Sequence, residues 1–145
     1  MVYAIQKLFA EIGEAGCYFI CMCIVAMKAM LRQFDIIEAF CDAEANGHVH
    51  YNYKNTEDPK NCLVQDSQKL MAFLCPGFDV SYRMAGPLYK PADDEYCIEE
   101  WHWPNKAKVS IHFVLPEYDP LGESNTKKFG KIHSKRIFKI TKKES

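Results

Sequence analysis

The run GCYFICMCIVAMKAML at residues 16–31 sets the architecture predicted for this chain. Apolar side chains fill nearly every position, and the pattern predicts a long helix from about Ala15 to Phe34. A helix that is apolar nearly all round is buried on every side, so we expect it to be the central helix of the fold. The uncharged part of the run ends at Lys28, which leaves it too short to cross a bilayer.

The 145 residues are predicted to form one domain, residues 1–145. Asp35 is a favourable N-cap with Glu38 three residues later, and Asn46-Gly47 is a favourable helix end. Helices first and antiparallel strands second indicate an α+β fold, with the central helix packed on a C-terminal antiparallel sheet. Residues 2–12 are predicted to form a short helix or a turn region, and the other predicted helices are 35–46 and 65–74. The predicted loop is 48–60. The predicted strands are 96–103, 107–115 and 132–140, with turns at Pro104-Asn105 and Pro116-Glu117.

Composition narrows the class of protein. Charged residues make up 26% of the chain and hydrophobic residues 48%, which excludes intrinsic disorder. The formal net charge is −1, so nucleic acid is not an expected partner. Basic residues do cluster at 127–145, and we interpret this stretch as a sheet edge guarded by lysines, with a polyanion-binding patch as the alternative.

Cysteine usage indicates a reduced protein. The seven cysteines are an odd number and lack the even spread of a secreted disulfide framework. Residues 1–13 show no apolar run followed by a small-residue cleavage site, so no secretory signal is predicted. We therefore expect a cytoplasmic protein whose cysteines are mostly small packing residues, among them Cys41, Cys62, Cys75 and Cys97.

Cys17 is the cysteine in a special setting. It follows Gly16 in the first turn of the predicted central helix, where free backbone N–H groups and the helix dipole favour negative charge. Because a thiolate is stabilised there, we expect the pKa of Cys17 to lie below the roughly 8.5 of a free thiol. The alternative is a core cysteine that happens to begin a helix.

His112 is the candidate partner of this cysteine. It lies in VSIHFVL, residues 109–115, a segment of strongly β-type composition. A thiol hydrolase requires an imidazole held rigidly within reach of the sulfur, and a helix-start cysteine with a strand histidine is typical of that arrangement. A histidine that only fills a core or edge position is the alternative.

Asp119 is the candidate third member of the group. If Pro116-Glu117 is a two-residue turn, Leu115 pairs with Tyr118 across it. His112 and Asp119 then become diagonal neighbours on one face of the hairpin, where a carboxylate can hold the imidazole tautomer. One extra loop residue would put the two side chains on opposite faces, and an Asp-Pro turn residue is the alternative interpretation.

Two resemblances to known families are carried by short segments. GCYF at 16–19, HFVL at 112–115 and YDPL at 118–121 resemble the papain-like cysteine peptidase superfamily, and most of all its small bacteriocin-processing-like branch. In the tail, SNT at 124–126, GKI at 130–132 and SKRIF at 134–138 resemble a family of small spirochaete and phage-associated proteins. The segments lie near both ends of the chain, whereas 35–95 carries no matching motif.

The papain-like resemblance implies a papain-like α+β fold, with the Cys17 helix packed on the sheet that carries His112 and Asp119, and it implies three catalytic roles. It implies Cys17 as nucleophile, His112 as general base and Asp119 as the group that orients the imidazole. It also implies an oxyanion donor, a Gln side chain upstream of the nucleophile that acts together with the nucleophile's own N–H. Gln6 is the candidate donor, although it lies further upstream than the usual spacing and Glu11 stands nearer that place.

Two pairs of residues that suggest a metal are set aside. Cys21 and Cys23 point to different sides of a helix and cannot both bind one ion. His48 and His50 lie in a predicted loop, and no second Cys-x-x-Cys half is present. We therefore expect no metal ion and no cofactor.

Trp101 and Trp103 flank His102 in a predicted strand. Because side chains alternate along a strand, the two indoles should face one side and His102 the other. The indoles are core residues in one interpretation and a substrate-facing aromatic wall in the other.

These observations predict a small cysteine hydrolase, a peptidase or amidase, that uses a Cys-His-Asp triad and a thioester intermediate. The alternative is a catalytically inactive papain-like protein of phage or plasmid origin that binds or regulates a partner. A peptide or another amide is the expected substrate, and a membrane is not an expected partner.

Overall fold

A computed structural model of the chain describes residues 16–51, 62–105, 108–118 and 130–144. These residues form an α+β structure, as predicted, with a four-stranded antiparallel sheet and a separate two-stranded one. The helices are α1 (Gly16–Met30), α2 (Ile36–Ala45) and α3 (Ser67–Leu74). The strands are β1 (Val49–Tyr51), β2 (Cys62–Val64), β3 (Phe78–Ala85), β4 (Glu95–Asn105), β5 (Lys108–Val114) and β6 (Lys131–Lys142).

Helix α1 is the buried centre of this structure. Every residue from 16 to 23 is buried, and the helix contacts both other helices and strands β4 and β5. The helix ends at Met30, earlier than the predicted end at Phe34. Leu31 explains the difference, because its φ of 54° is left-handed and its side chain is 93% exposed. No helix of the described ranges is long and apolar enough to span a membrane.

Aspartate caps begin the two shorter helices. The Asp35 side chain accepts a hydrogen bond from the backbone N–H of Glu38 at 3.0 Å, which confirms the predicted cap of α2. Asp66 accepts one from the backbone N–H of Lys69 at 2.9 Å and caps α3 in the same way. Such caps satisfy backbone donors that the first turn of a helix leaves free.

The large sheet has the strand order β3-β6-β4-β5, so β5 is its outer strand on one side. Strand β3 was not predicted, because its alternating side chains are partly exposed and its apolar signal is weak. It pairs along its whole length with β6, from Phe78 opposite Lys142 to Ala85 opposite Lys135. Strand β1 lies inside the predicted loop 48–60, so that prediction is wrong for Val49–Tyr51.

The predicted β4–β5 hairpin is present with a different turn. Pro104 and Asn105 are not the turn but the last residues of β4, and they pair with Val109 and Lys108. Strand β4 pairs with β6 only as far as His102, so the missing N–H of Pro104 removes no bond to that neighbour.

Candidate active site

Cys17 lies in the first turn of α1, as predicted, immediately after Gly16. The first turn holds no acidic side chain that would oppose a thiolate electrostatically. The first N–H groups of a helix have no acceptor within the helix, and together with the helix dipole they favour negative charge at this position. The side chain is fully buried, so this local field acts in a site screened from water.

The sulfur of Cys17 lies against the outer strand β5. The backbone N–H of Phe113 donates a hydrogen bond to Cys17 Sγ, with an N···S distance of 3.3 Å. One helical turn later, the Cys21 thiol donates to the carbonyl oxygen of Phe113 at 3.5 Å. An outer strand presents backbone groups that have no neighbouring strand to bind, and the two thiols bind those of Phe113. These two contacts set the position of α1 along β5.

His112 is the residue immediately before Phe113, so the fold brings it next to the backbone group that contacts Cys17. Its side chain is 3% exposed. The Phe113 ring packs on Tyr18 of α1, with centroids 4.7 Å apart. Because side chains alternate along a strand, His112 points to the opposite face of the sheet from Tyr18. The thiol lies at the strand edge between these two faces.

An aromatic contact holds the His112 ring. The imidazole meets the indole of Trp103 edge to face, with centroids 6.3 Å apart. Trp101 lies directly opposite His112 on β4. On the other face of β4, His102 Nε2 lies 2.6 Å from a carboxylate oxygen of Glu100. The two tryptophans therefore share a face with His112 and not with His102, as the predicted alternation requires.

The two-residue turn at Pro116-Glu117, on which the predicted position of Asp119 depends, is present. Leu115 and Tyr118 exchange two backbone hydrogen bonds, 2.9 and 3.2 Å long, around Pro116-Glu117. The two-residue turn and the first pair of the predicted hairpin are thereby confirmed. Asp119 itself lies outside the described residues, and so does the predicted oxyanion donor Gln6.

The other cysteines differ in how deeply their side chains are buried. Burial raises the pKa of Cys75 and of Cys97 to about 11, and it raises that of Cys23 as well. Cys41 is exposed, so its prediction as a packing residue is wrong. It follows the buried Phe40 on an amphipathic helix, and one step along a helix turns a side chain away from the core face. The Cys62 side chain lies outside the described part of the structure.

A buried ion pair lies on the Tyr18 side of the sheet. The Arg136 guanidinium binds the Glu100 carboxylate and also donates to Tyr82 Oη at 2.9 Å. Its carbon lies 5.9 Å from the centroid of the Tyr18 ring. Burial opposes the charged form of Glu100, but hydrogen bonds from Arg136 and His102 outweigh it and lower the pKa of the carboxyl group. Burial likewise raises the pKa of the Tyr18 hydroxyl.

Comparison with known proteins bears on the family of this chain. No curated protein and no solved structure matches it. One family model, described as "Protein of unknown function, DUF261", matches residues 4–140. The matched stretch contains Cys17, His112 and Asp119. Since the match covers nearly the whole sequence, the chain belongs to the DUF261 family.

Proposed function

We propose that this protein is a small papain-like cysteine hydrolase that acts on an amide bond. In this proposal Cys17 is the nucleophile, His112 is the general base and Asp119 orients the imidazole. The observation that carries it is the position of the Cys17 sulfur, in the first turn of α1 and 3.3 Å from the backbone nitrogen that follows His112. A hydrogen bond to sulfur is stronger when the sulfur is a thiolate, so the Phe113 N–H supports the charged nucleophile.

The reaction proceeds in two steps. The Cys17 thiolate attacks the carbonyl carbon, a C–S bond forms, and negative charge develops on the carbonyl oxygen. His112 then protonates the leaving amine as the C–N bond breaks, which leaves a thioester on Cys17. Water then attacks the thioester with its proton passing to His112, the C–S bond breaks, the acid is released, and the Cys17 thiolate is regenerated. The backbone N–H of Cys17, in the first turn of α1, is the proposed hydrogen-bond donor for the oxyanion, and Gln6 is the proposed second donor.

A second candidate is a binding or regulatory protein that keeps the fold without catalysis. The specific observation in its favour is that Cys17 and Cys21 both bind the backbone of Phe113. Both cysteines are fully buried, which suits a structural pair that covers a strand edge. On this hypothesis Cys17 contributes to stability and has no special reactivity.

Acylation by p-nitrophenyl acetate separates the two candidates without knowledge of the natural substrate. A cysteine hydrolase should release a burst of p-nitrophenol equal to the protein concentration, with the acetyl group mapped to Cys17 by peptide mass spectrometry. Cys17→Ala should abolish the burst, and His112→Ala should slow acylation. Cys41→Ala is the matched control, because it removes an exposed thiol and should leave the burst unchanged.

The opposite pattern would support the binding protein. It consists of acetylation that follows exposure, so that Cys41 is modified first and Cys17→Ala changes nothing. Circular dichroism of each variant checks that the loss of a burst does not reflect loss of the fold.

A further inference from the structure

Three side chains on β4 and β6 converge on one point that the proposed hydrolase does not use. Glu100 Oε2 lies 2.6 Å from His102 Nε2 and 3.2 Å from His133 Nδ1. The candidate ligand atoms of the three residues all lie within 4.8 Å of one another. The two imidazole rings are parallel, with centroids 4.1 Å apart. Two nitrogen donors and one carboxylate oxygen thus lie close enough together to reach one ion after a rotation of one ring.

A β-bulge creates this convergence. Glu100 pairs with Ser134, but the next residue of β4, Trp101, pairs with Ile132, so His133 is the extra residue. In a regular strand His133 would point away from the face of Ser134 and Glu100. The bulge turns its side chain toward Glu100 instead. Bulges of this kind often lie next to functional sites, where they redirect one side chain.

The carboxylate is held in place from its other side. Arg136 binds Glu100 Oε1, which leaves Oε2 directed at the two histidines. Metal-binding carboxylates are commonly fixed by such an outer partner, which orients the ligand and keeps it ionised. Glu100 is also buried, so its position is defined by packing as well as by the ion pair.

Ser134 adds an independent observation. It lies directly opposite Glu100 on β6, and directly paired residues share a face of the sheet. The residue is only 6% exposed, and its hydroxyl has no hydrogen-bond partner among the described residues. A buried hydroxyl without a partner is costly, and an ordered ligand such as a metal-bound water would satisfy it.

We propose that Glu100, His102 and His133 bind one divalent transition-metal ion of the zinc type. Two histidines and one glutamate with a fourth position open to water form a recognised zinc ligand set, and the same set suits cobalt and ferrous ions. The ion takes the place of the contacts that now join the imidazoles to the carboxylate, and each ligating nitrogen binds it through its lone pair. His133 is 57% exposed, so its ring is free to turn out of the parallel stack and face the ion.

Titration of the reduced full-length chain with Co²⁺ tests this site. We expect one equivalent to bind with the visible absorption of cobalt bound by nitrogen and oxygen, and without a thiolate-to-cobalt charge-transfer band. His102→Ala and His133→Ala should each weaken binding by at least about tenfold, the loss that even an outer ligand partner can produce. Competition with Zn²⁺ should displace the cobalt. His50→Ala is the matched control, since it removes an exposed histidine elsewhere and should leave binding unchanged.

Three results would overturn the proposal. They are no binding by the wild type, a thiolate charge-transfer band that persists in both His102→Ala and His133→Ala, and equal affinity in His133→Ala and the wild type. The exposed position of His133 makes its alanine variant compatible with folding, and circular dichroism checks this. Because Cys17 and His112 lie outside the ligand set, Cys17→Ala should bind cobalt as the wild type does, whatever the fate of the hydrolase proposal.

Discussion

The sulfur of Cys17 lies 3.3 Å from the backbone nitrogen of Phe113, on β5, the outer strand of the sheet that the described residues form. This one contact joins the start of the buried helix to the strand that carries His112. It serves two purposes at once, because it satisfies an edge N–H and directs a positive dipole at the thiol. The catalytic and the structural interpretations of Cys17 share this geometry and differ in the reactivity that they predict.

The contact between the Cys21 thiol and the carbonyl of Phe113 predicts that Cys21 contributes to the stability of the fold. Cys21→Ala should lower the free energy of unfolding by about 1–2 kcal/mol, because the part-buried carbonyl of Phe113 loses its donor and a small cavity opens. Cys21→Ser retains a donor and should recover part of the loss. Urea denaturation measures both variants, and an alanine variant as stable as the wild type would show that the contact contributes nothing.

The helix caps predict a second set of stability changes. Asp35→Ala and Asp66→Ala should each cost about 1 kcal/mol, since each removes the acceptor of a first-turn N–H. Asn at either position keeps an acceptor and should restore most of the stability. The midpoints of thermal unfolding report these differences. Equal midpoints for the Ala and Asn variants would argue against capping.

The Glu100–Arg136 pair predicts a dependence on acid. The pKa of Glu100 is lowered in the folded state, so its contribution is present above the ordinary value of 4.5 and is lost as the pH falls through the folded value. Glu100→Gln should cost about 1–3 kcal/mol at neutral pH, because the half-buried charge of Arg136 loses its counter-charge and keeps only the hydrogen bond to Tyr82. The stability of the variant should also fall less than that of the wild type as the pH is lowered through the acid range.

An exposed ion pair provides the control for that measurement. Asp94 and Lys139 lie 3.1 Å apart on the surface, and Asp94→Asn should change stability by less than about 1 kcal/mol. If Glu100→Gln and Asp94→Asn have the same small effect across the acid range, the buried pair does not stabilise the sheet.

Local patterns in the sequence are sufficient for the parts of the fold that depend on near neighbours. The apolar run after Gly16 predicts the buried helix, because no face of it could be left in water. Asp35 predicts its cap from a bond that spans three residues. The turn at Pro116-Glu117 is predicted equally well, since the pair of Leu115 and Tyr118 that it joins is adjacent to it.

Features that depend on distant partners could not be predicted in this way. Strand β3 has a weak pattern of its own and is defined by its pairing with β6. His133 joins Glu100 only because of a bulge in the β4–β6 register, and nothing in the residues around His133 indicates that bulge. Glu100 and His102, in contrast, are two apart in one strand, and their shared face could have suggested two of the three proposed metal ligands.

The pH dependence of alkylation at each cysteine tests the central claim most directly. Iodoacetamide modification mapped by mass spectrometry yields a midpoint for each thiol, and a midpoint does not depend on how accessible the thiol is. We predict that Cys17 has a lower midpoint than the exposed Cys41, that His112→Ala slows modification of Cys17 at neutral pH, and that Cys75 and Cys97 react only near their raised pKa of about 11. A Cys17 midpoint equal to or above that of Cys41, unchanged in His112→Ala, would contradict the proposal that Cys17 is an activated nucleophile.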